Sequence, residues 1–174
     1  IKNYFYTLKI SKNINNVVKK KNFIISAFNL AYYSFLFFEK IKPTKNTFLW
    51  PDGIFSKFFN IRIEKLPGRR LISELIIPSN IKVIHLIGNT TENIENFLHS
   101  KFKKQKIKFS PLPFGNIDQI IKSLPKVNKN ELVLVTMPTP KQEIIAAEID
   151  KRNKNAKIIC IGGGLGIAAH DEEP

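Results

Sequence analysis

The chain has 174 residues, of which 43% are hydrophobic and 24% charged, with 14 Phe and only 8 Gly. That is the length of one domain with enough apolar content for a core, which excludes a disordered tail, a collagen-like rod and a linker array. Its 28 Lys and Arg against 14 Asp and Glu leave a net charge of +14, a field that attracts anionic partners such as acidic lipid, phosphorylated substrates or nucleic acid. The excess is nearly all lysine in a chain rich in Ile, Asn and Phe, the mixture that AT-rich coding sequence produces, so nucleic acid is not the expected partner. The single cysteine, Cys160, cannot close an internal disulfide, and the chain is expected to be cytoplasmic.

Short apolar runs bounded by turn signals predict strands at Phe23 to Ala27, Thr47 to Trp50, Lys82 to Ile87, Ile107 to Phe109, Leu132 to Met137 and Lys157 to Ile161. Helical patterns lie between them at Leu30 to Ile41, Thr91 to Phe102, Ile117 to Leu124 and Pro140 to Arg152. Strands alternating with helices predict an α/β fold, Rossmann-like, with a largely parallel sheet and helices on both faces. The last two strands are almost wholly apolar, as central strands covered on both sides must be. The longest apolar run, Ala27 to Phe38, is broken by Asn29 and Ser34 and falls short of the roughly 20 residues that span a bilayer. Its aromatic stretch, Tyr32 to Phe38, is expected to pack on the sheet. No signal peptide is recognisable. Residues 1–174 are read as one domain, and the absence of an initial Met, with an end just past a Gly-rich stretch, leads us to expect a fragment of a longer protein.

In open parallel sheets ligands bind beyond the carboxyl ends of the strands, so the residues that follow each strand are the candidates. Pro51-Asp52-Gly53 has a turn signature, with Pro presetting φ and Gly accepting positive φ; it equally presents the Asp52 carboxylate as a general base or ligand. In Pro138-Thr139-Pro140-Lys141-Gln142-Glu143, Thr139 suits an N-cap, Pro140 the first helical position and Gln142 a capping box. The same turn offers backbone N–H groups and a helix dipole to an anion, with Lys141 adding charge. Gly88-Asn89-Thr90-Thr91-Glu92 begins another helix, with Asn89 able to cap and Glu92 to reach back. Gly162-Gly163-Gly164-Leu165-Gly166 would let backbone approach a phosphate, although it does not open a full dinucleotide fingerprint. His85, His99 and His170 are scattered and Cys160 lies in an apolar run, so neither a zinc site nor a catalytic thiol is expected.

Together these positions give the chain a resemblance to the WecG/TagA/CpsF glycosyltransferases, glycosyltransferase family 26. It is carried in order by Ser26-Ala27-Phe28-Asn29, Trp50-Pro51-Asp52-Gly53, Glu64-Lys65-Leu66-Pro67-Gly68-Arg69-Arg70-Leu71, Leu86-Ile87-Gly88, Pro140-Lys141-Gln142-Glu143 and Ile161-Gly162-Gly163-Gly164. The Pro-Lys-Gln-Glu signature after a buried strand is the most specific of them. The resemblance implies an inverting transfer of an N-acetylmannosamine-type sugar from a UDP-sugar to an undecaprenyl-diphosphate-linked acceptor, without metal or cofactor. It implies Asp52 as general base, Asn29 and Gln142 orienting donor or acceptor, and Lys65 and Lys141 balancing charge on the UDP leaving group. Gly88, Glu143, Gly162, Gly163 and Gly164 complete the substrate-binding set that it implies. It further implies work at the inner face of a membrane by peripheral contact with anionic lipid, and a C-terminal membrane-contacting appendage that the fragment, residues 1–174, is expected to lack. From the residues alone, a basic nucleotide- or nucleic-acid-binding α/β module remains the alternative.

Overall fold

A computed structural model describes residues 9–11, 13–38, 40–52 and 66–171. Its strands are β1 (Lys9–Ile10), β2 (Phe23–Phe28), β3 (Thr47–Pro51), β4 (Val83–Gly88), β5 (Lys106–Ser110), β6 (Glu131–Thr136) and β7 (Lys157–Cys160). They form one sheet in the order β1-β3-β2-β7-β6-β4-β5, and every neighbouring pair is parallel. The helices are α1 (Ile14–Val18), α2 (Leu30–Phe37), α3 (Gly68–Glu74), α4 (Glu92–Lys101), α5 (Ile117–Lys122), α6 (Lys141–Arg152) and α7 (Gly164–Ala168). The chain therefore has the α/β, Rossmann-like architecture that its alternating pattern predicts.

Alternation along each strand sends side chains to two cores. Phe23, Ile25, Ile84, Leu86, Leu132 and Leu134 pack on one face beneath residues of α1, α3 and α4. Ile24, Ile87, Val133, Val135 and Ile158 pack on the other beneath α5 and α6, where Phe28 and Leu49 meet α2 through Tyr32 and Leu36. All six expected strands are present, with ends shifted by a residue or so. Helix α2 stops at Phe37, short of the expected Ile41: the N–H groups of Lys40 and Ile41 both turn back to Phe35 O, and Ile41 packs into the same core. The aromatic stretch is only partly packed: Tyr32 and Leu36 are buried, whereas Leu30, Phe37 and Phe38 stand more than half exposed. The elements β1, α1, α3 and α7 were not foreseen. Two residues give β1 no period to read, and glycine at positions 164 and 166 is among the poorest helix formers. No described helix is long and apolar enough to cross a membrane.

One polar chain crosses the sheet. His85 in β4 is fully buried, with Nδ1 3.0 Å from Glu131 Oε2 and Nε2 2.8 Å from Ser110 Oγ. A carboxylate can only accept, so Nδ1 carries the proton and Ser110 donates to Nε2. Burial pushes the imidazole pKa down and outweighs the upward pull of Glu131. Burial pushes Glu131 up, but the hydrogen bonds from Asn128 and His85 more than offset it and leave the carboxylate below its usual range. As pH falls below the ordinary histidine value, an unfolded chain takes up a proton that folded His85 refuses, so stability declines until the depressed folded value is reached. The urea midpoint should therefore fall more steeply for the native protein than for His85→Gln between about pH 7 and 5.5. Parallel slopes in that window would show that folded His85 takes up its proton over the same range as the unfolded chain.

Candidate functional site

Register decides what meets at the carboxyl edge. Phe28 pairs with Pro51, so Asn29 and Asp52 leave adjacent strands at the same height. Asn29 begins α2 as its N-cap, accepting from Tyr32 N–H at 2.9 Å. A hydrogen bond from Leu66 N–H to Pro51 O, 2.8 Å, returns the chain to β3. From there Pro67 leads into α3, whose first residue, Gly68, lies against Gly164 at the start of α7. A Cβ on Gly164 would fall 3.0 Å from the Cα and carbonyl carbon of Gly68, so two helix starts meet backbone to backbone because both residues are glycine. Beyond β7, the N–H groups of Ile161 and Gly162 both donate to Val135 O, tying this turn to β6.

These exits enclose a cavity of about 280 Å³, lined by Asn29, Asp52, Arg69, Thr139, Gln142 and Gly162 to Gly164, with Trp50, Met137 and Ile167 among its apolar walls. That volume is at the lower end for ligand cavities. Asp52 is the one carboxylate among the described residues that line it, and Arg69 the one cation. A cavity of about 700 Å³ lies at the opposite edge, around Leu124 to Asn130 and Asn153. It is larger, but it opens at the amino ends of the strands, away from the edge where parallel sheets bind ligands. Among the described residues no three His, Cys, Asp or Glu side chains gather as a metal site requires.

Of the residues singled out in the sequence, Asn29, Asp52, Gln142, Gly162, Gly163 and Gly164 line this one cavity. Lys65 lies outside the described residues. Gly88 and Lys141 are not among the lining residues. Lys141 instead reaches Gly115 O with its Nζ at 3.1 Å. The capping expected at this helix start is also corrected. Helix α6 begins at Lys141 with Pro140 as N-cap and no side-chain cap, so Thr139 and Gln142 do not form a capping box. Pro138 O accepts from the N–H groups of both Lys141 and Gln142, and Glu143 stands in the first turn of the same helix. Likewise Thr91, not Asn89, caps α4, through Ile94 N–H.

Glu143 lies beneath Gln142, almost wholly buried. Its Oε1 accepts from Ser26 Oγ at 2.8 Å, Gln142 Nε2 at 3.0 Å and Thr139 Oγ1 at 3.3 Å. Burial pushes its pKa up, against the pull of these hydrogen bonds. Burial likewise raises the Tyr32 hydroxyl and the Cys160 thiol, with the nearby Glu143 charge adding to both. Cys160 is thereby an inert wall residue, as its apolar strand implies. Arg69, Trp50 and Thr139 were missed as lining residues. Arg69 had one sequence signal, its place beside Gly68 in the segment that carries the family resemblance.

No protein-family model matches the chain, and no curated protein matches it.

The geometry gives Gly88 a structural task. Its φ is +126°, and a Cβ there would fall 2.7 Å from Thr136 Oγ1, the hydroxyl that donates to Asn89 O. Gly88→Ala should lower unfolding free energy by about 1–3 kcal/mol in urea titration. An unchanged midpoint would mean that β4 turns over β6 without needing glycine.

Proposed function

We propose that the chain is an inverting glycosyltransferase of the WecG/TagA/CpsF kind, taking an N-acetylmannosamine-type or related sugar from a UDP-sugar to an undecaprenyl-diphosphate-linked acceptor. The observation that supports this most is Asp52, the one carboxylate among the described lining residues, on a cavity wall shared with Asn29, Gln142 and Gly162 to Gly164. Inverting transfer needs one general base at the acceptor side. Asp52 takes the acceptor hydroxyl's proton as that oxygen bonds to the anomeric carbon. The bond from the anomeric carbon to the diphosphate breaks on the opposite side, and UDP leaves with the electron pair. Arg69 supplies a guanidinium to the diphosphate, whose charge grows as it leaves. Asn29 and Gln142 hold hydroxyl or amide groups of the sugars, and the glycines let a ligand come close to backbone.

A lipid-linked acceptor keeps its prenyl chain in the bilayer, so the reaction belongs at a membrane surface. The +14 charge and the exposed Leu30, Phe37 and Phe38 suit peripheral contact with anionic lipid, where each basic residue near the surface contributes about 1 kcal/mol.

Asp52→Asn keeps size and turn-forming character while removing the base. Turnover of UDP-N-acetylmannosamine with a lipid-diphosphate acceptor should fall about 10²–10⁴-fold, with UDP affinity changed little. Native turnover in this variant would reduce Asp52 to a turn residue and remove the mechanism.

A further inference from the structure

The geometry points to Glu143 as a positioning residue. Its carboxylate holds the Gln142 side-chain amide with the nitrogen inward, so that Gln142 turns an acceptor oxygen to the Gly162 wall of the cavity and selects ligands bringing an N–H or O–H there. The inference deepens the transferase reading and rests on it for the identity of the ligand, but the arrangement of the amide stands on the network itself.

Three donors converge on Glu143 Oε1: Ser26 from β2, Thr139 from the turn before α6, and Gln142 Nε2. Gln142 Nε2 makes a second bond, 3.1 Å to Thr139 Oγ1, whose proton is directed at Glu143. Reversing the amide would set its oxygen against the Glu143 carboxylate and against a hydroxyl oxygen whose proton is already committed. One amide orientation is therefore favoured by a carboxylate oxygen that already takes two hydroxyl donors and by a hydroxyl whose proton is directed at it. The other amide atom is Gln142 Oε1, which is buried with no partner among the described residues; a Cβ on Gly162 would lie 3.6 Å from it and 3.8 Å from Nε2, the oxygen being the nearer. A buried acceptor left unpaired is costly, and the group that repays it must donate a hydrogen bond. Amide and hydroxyl groups of a 2-acetamido sugar are donors of that kind.

The arrangement is readable in solution. The groups facing Glu143 are Tyr32 on α2, Ser26 on β2, Cys160 on β7, and Thr139 and Gln142 beside it. Lys40, Lys42, Glu148 and Lys151 line a second small cavity with it. Tyr32 and Cys160 are both raised, so they do not titrate in the carboxylate range.

The experiment follows the three glutamine side-chain amides by ¹⁵N NMR against pH, with Gln142→Met identifying the Gln142 pair and the exposed Gln119 as reference. In the native protein the Gln142 amide should exchange at least about tenfold more slowly than that of Gln119. It should also follow one transition above the usual glutamate range, as burial raises the Glu143 pKa. In Glu143→Gln that transition should vanish. A Gln142 amide that exchanges as fast as Gln119, or shows no such transition in the native protein, overturns the proposal. So does the same transition persisting in Glu143→Gln. Calorimetry with UDP-N-acetylglucosamine, comparing the native protein with Gln142→Met, is the second arm. Binding weakened about tenfold or more supports the acceptor role, and equal binding overturns it. No binding to the native protein counts against the transferase reading, while the amide titration still decides the role of Glu143.

Discussion

Everything at the candidate site depends on strand direction. Because all described strands run parallel, each must be followed by a crossover, and every exit opens at one edge. Both faces then need helical cover, which makes the central strands mostly apolar. Polar residues able to do chemistry are displaced to the first positions past each strand. Asn29 after β2, Asp52 after β3, Gln142 after β6 and Gly162 after β7 are neighbours for this reason, although up to 133 positions separate them in sequence.

Within that edge, one buried charge organises the rest. A carboxylate costs free energy to bury unless hydrogen bonds meet it; Glu143 Oε1 is met from β2, from the turn and from Gln142, while Oε2 is buried without a partner among the described residues. Helix α6, whose start a parallel fold often offers to a bound phosphate, carries Glu143 in its first turn. Among the described residues that line the cavity, Arg69 is the one cation. It sits there because two glycines allow α3 and α7 to start in contact.

Much of this was legible in the sequence, for identifiable reasons. The strands were readable because apolar runs such as Leu132 to Val135 have no helical period to compete with. Asn29, Asp52, Gln142 and Gly162 to Gly164 were readable because the exits of parallel strands are where ligands bind. What failed depends on long-range geometry. Thr139 fits a local capping pattern, but its hydroxyl goes to Glu143. Lys141 has the right charge, yet Gly115, 26 positions away, takes its ammonium group. Arg69 reaches the cavity through the Leu66 to Pro51 hydrogen bond and the contact of Gly68 with Gly164, none of which leaves a local sequence pattern.

The central claim is that a sugar nucleotide occupies the carboxyl-edge cavity between Asp52 and Gly162. A crystal structure of the protein soaked with UDP-N-acetylglucosamine tests it most directly. The account requires density with the sugar within hydrogen-bond reach of Gln142 and the diphosphate beside Arg69. Density confined to the cavity around Leu124 to Asn130, at the opposite edge of the sheet, would contradict it.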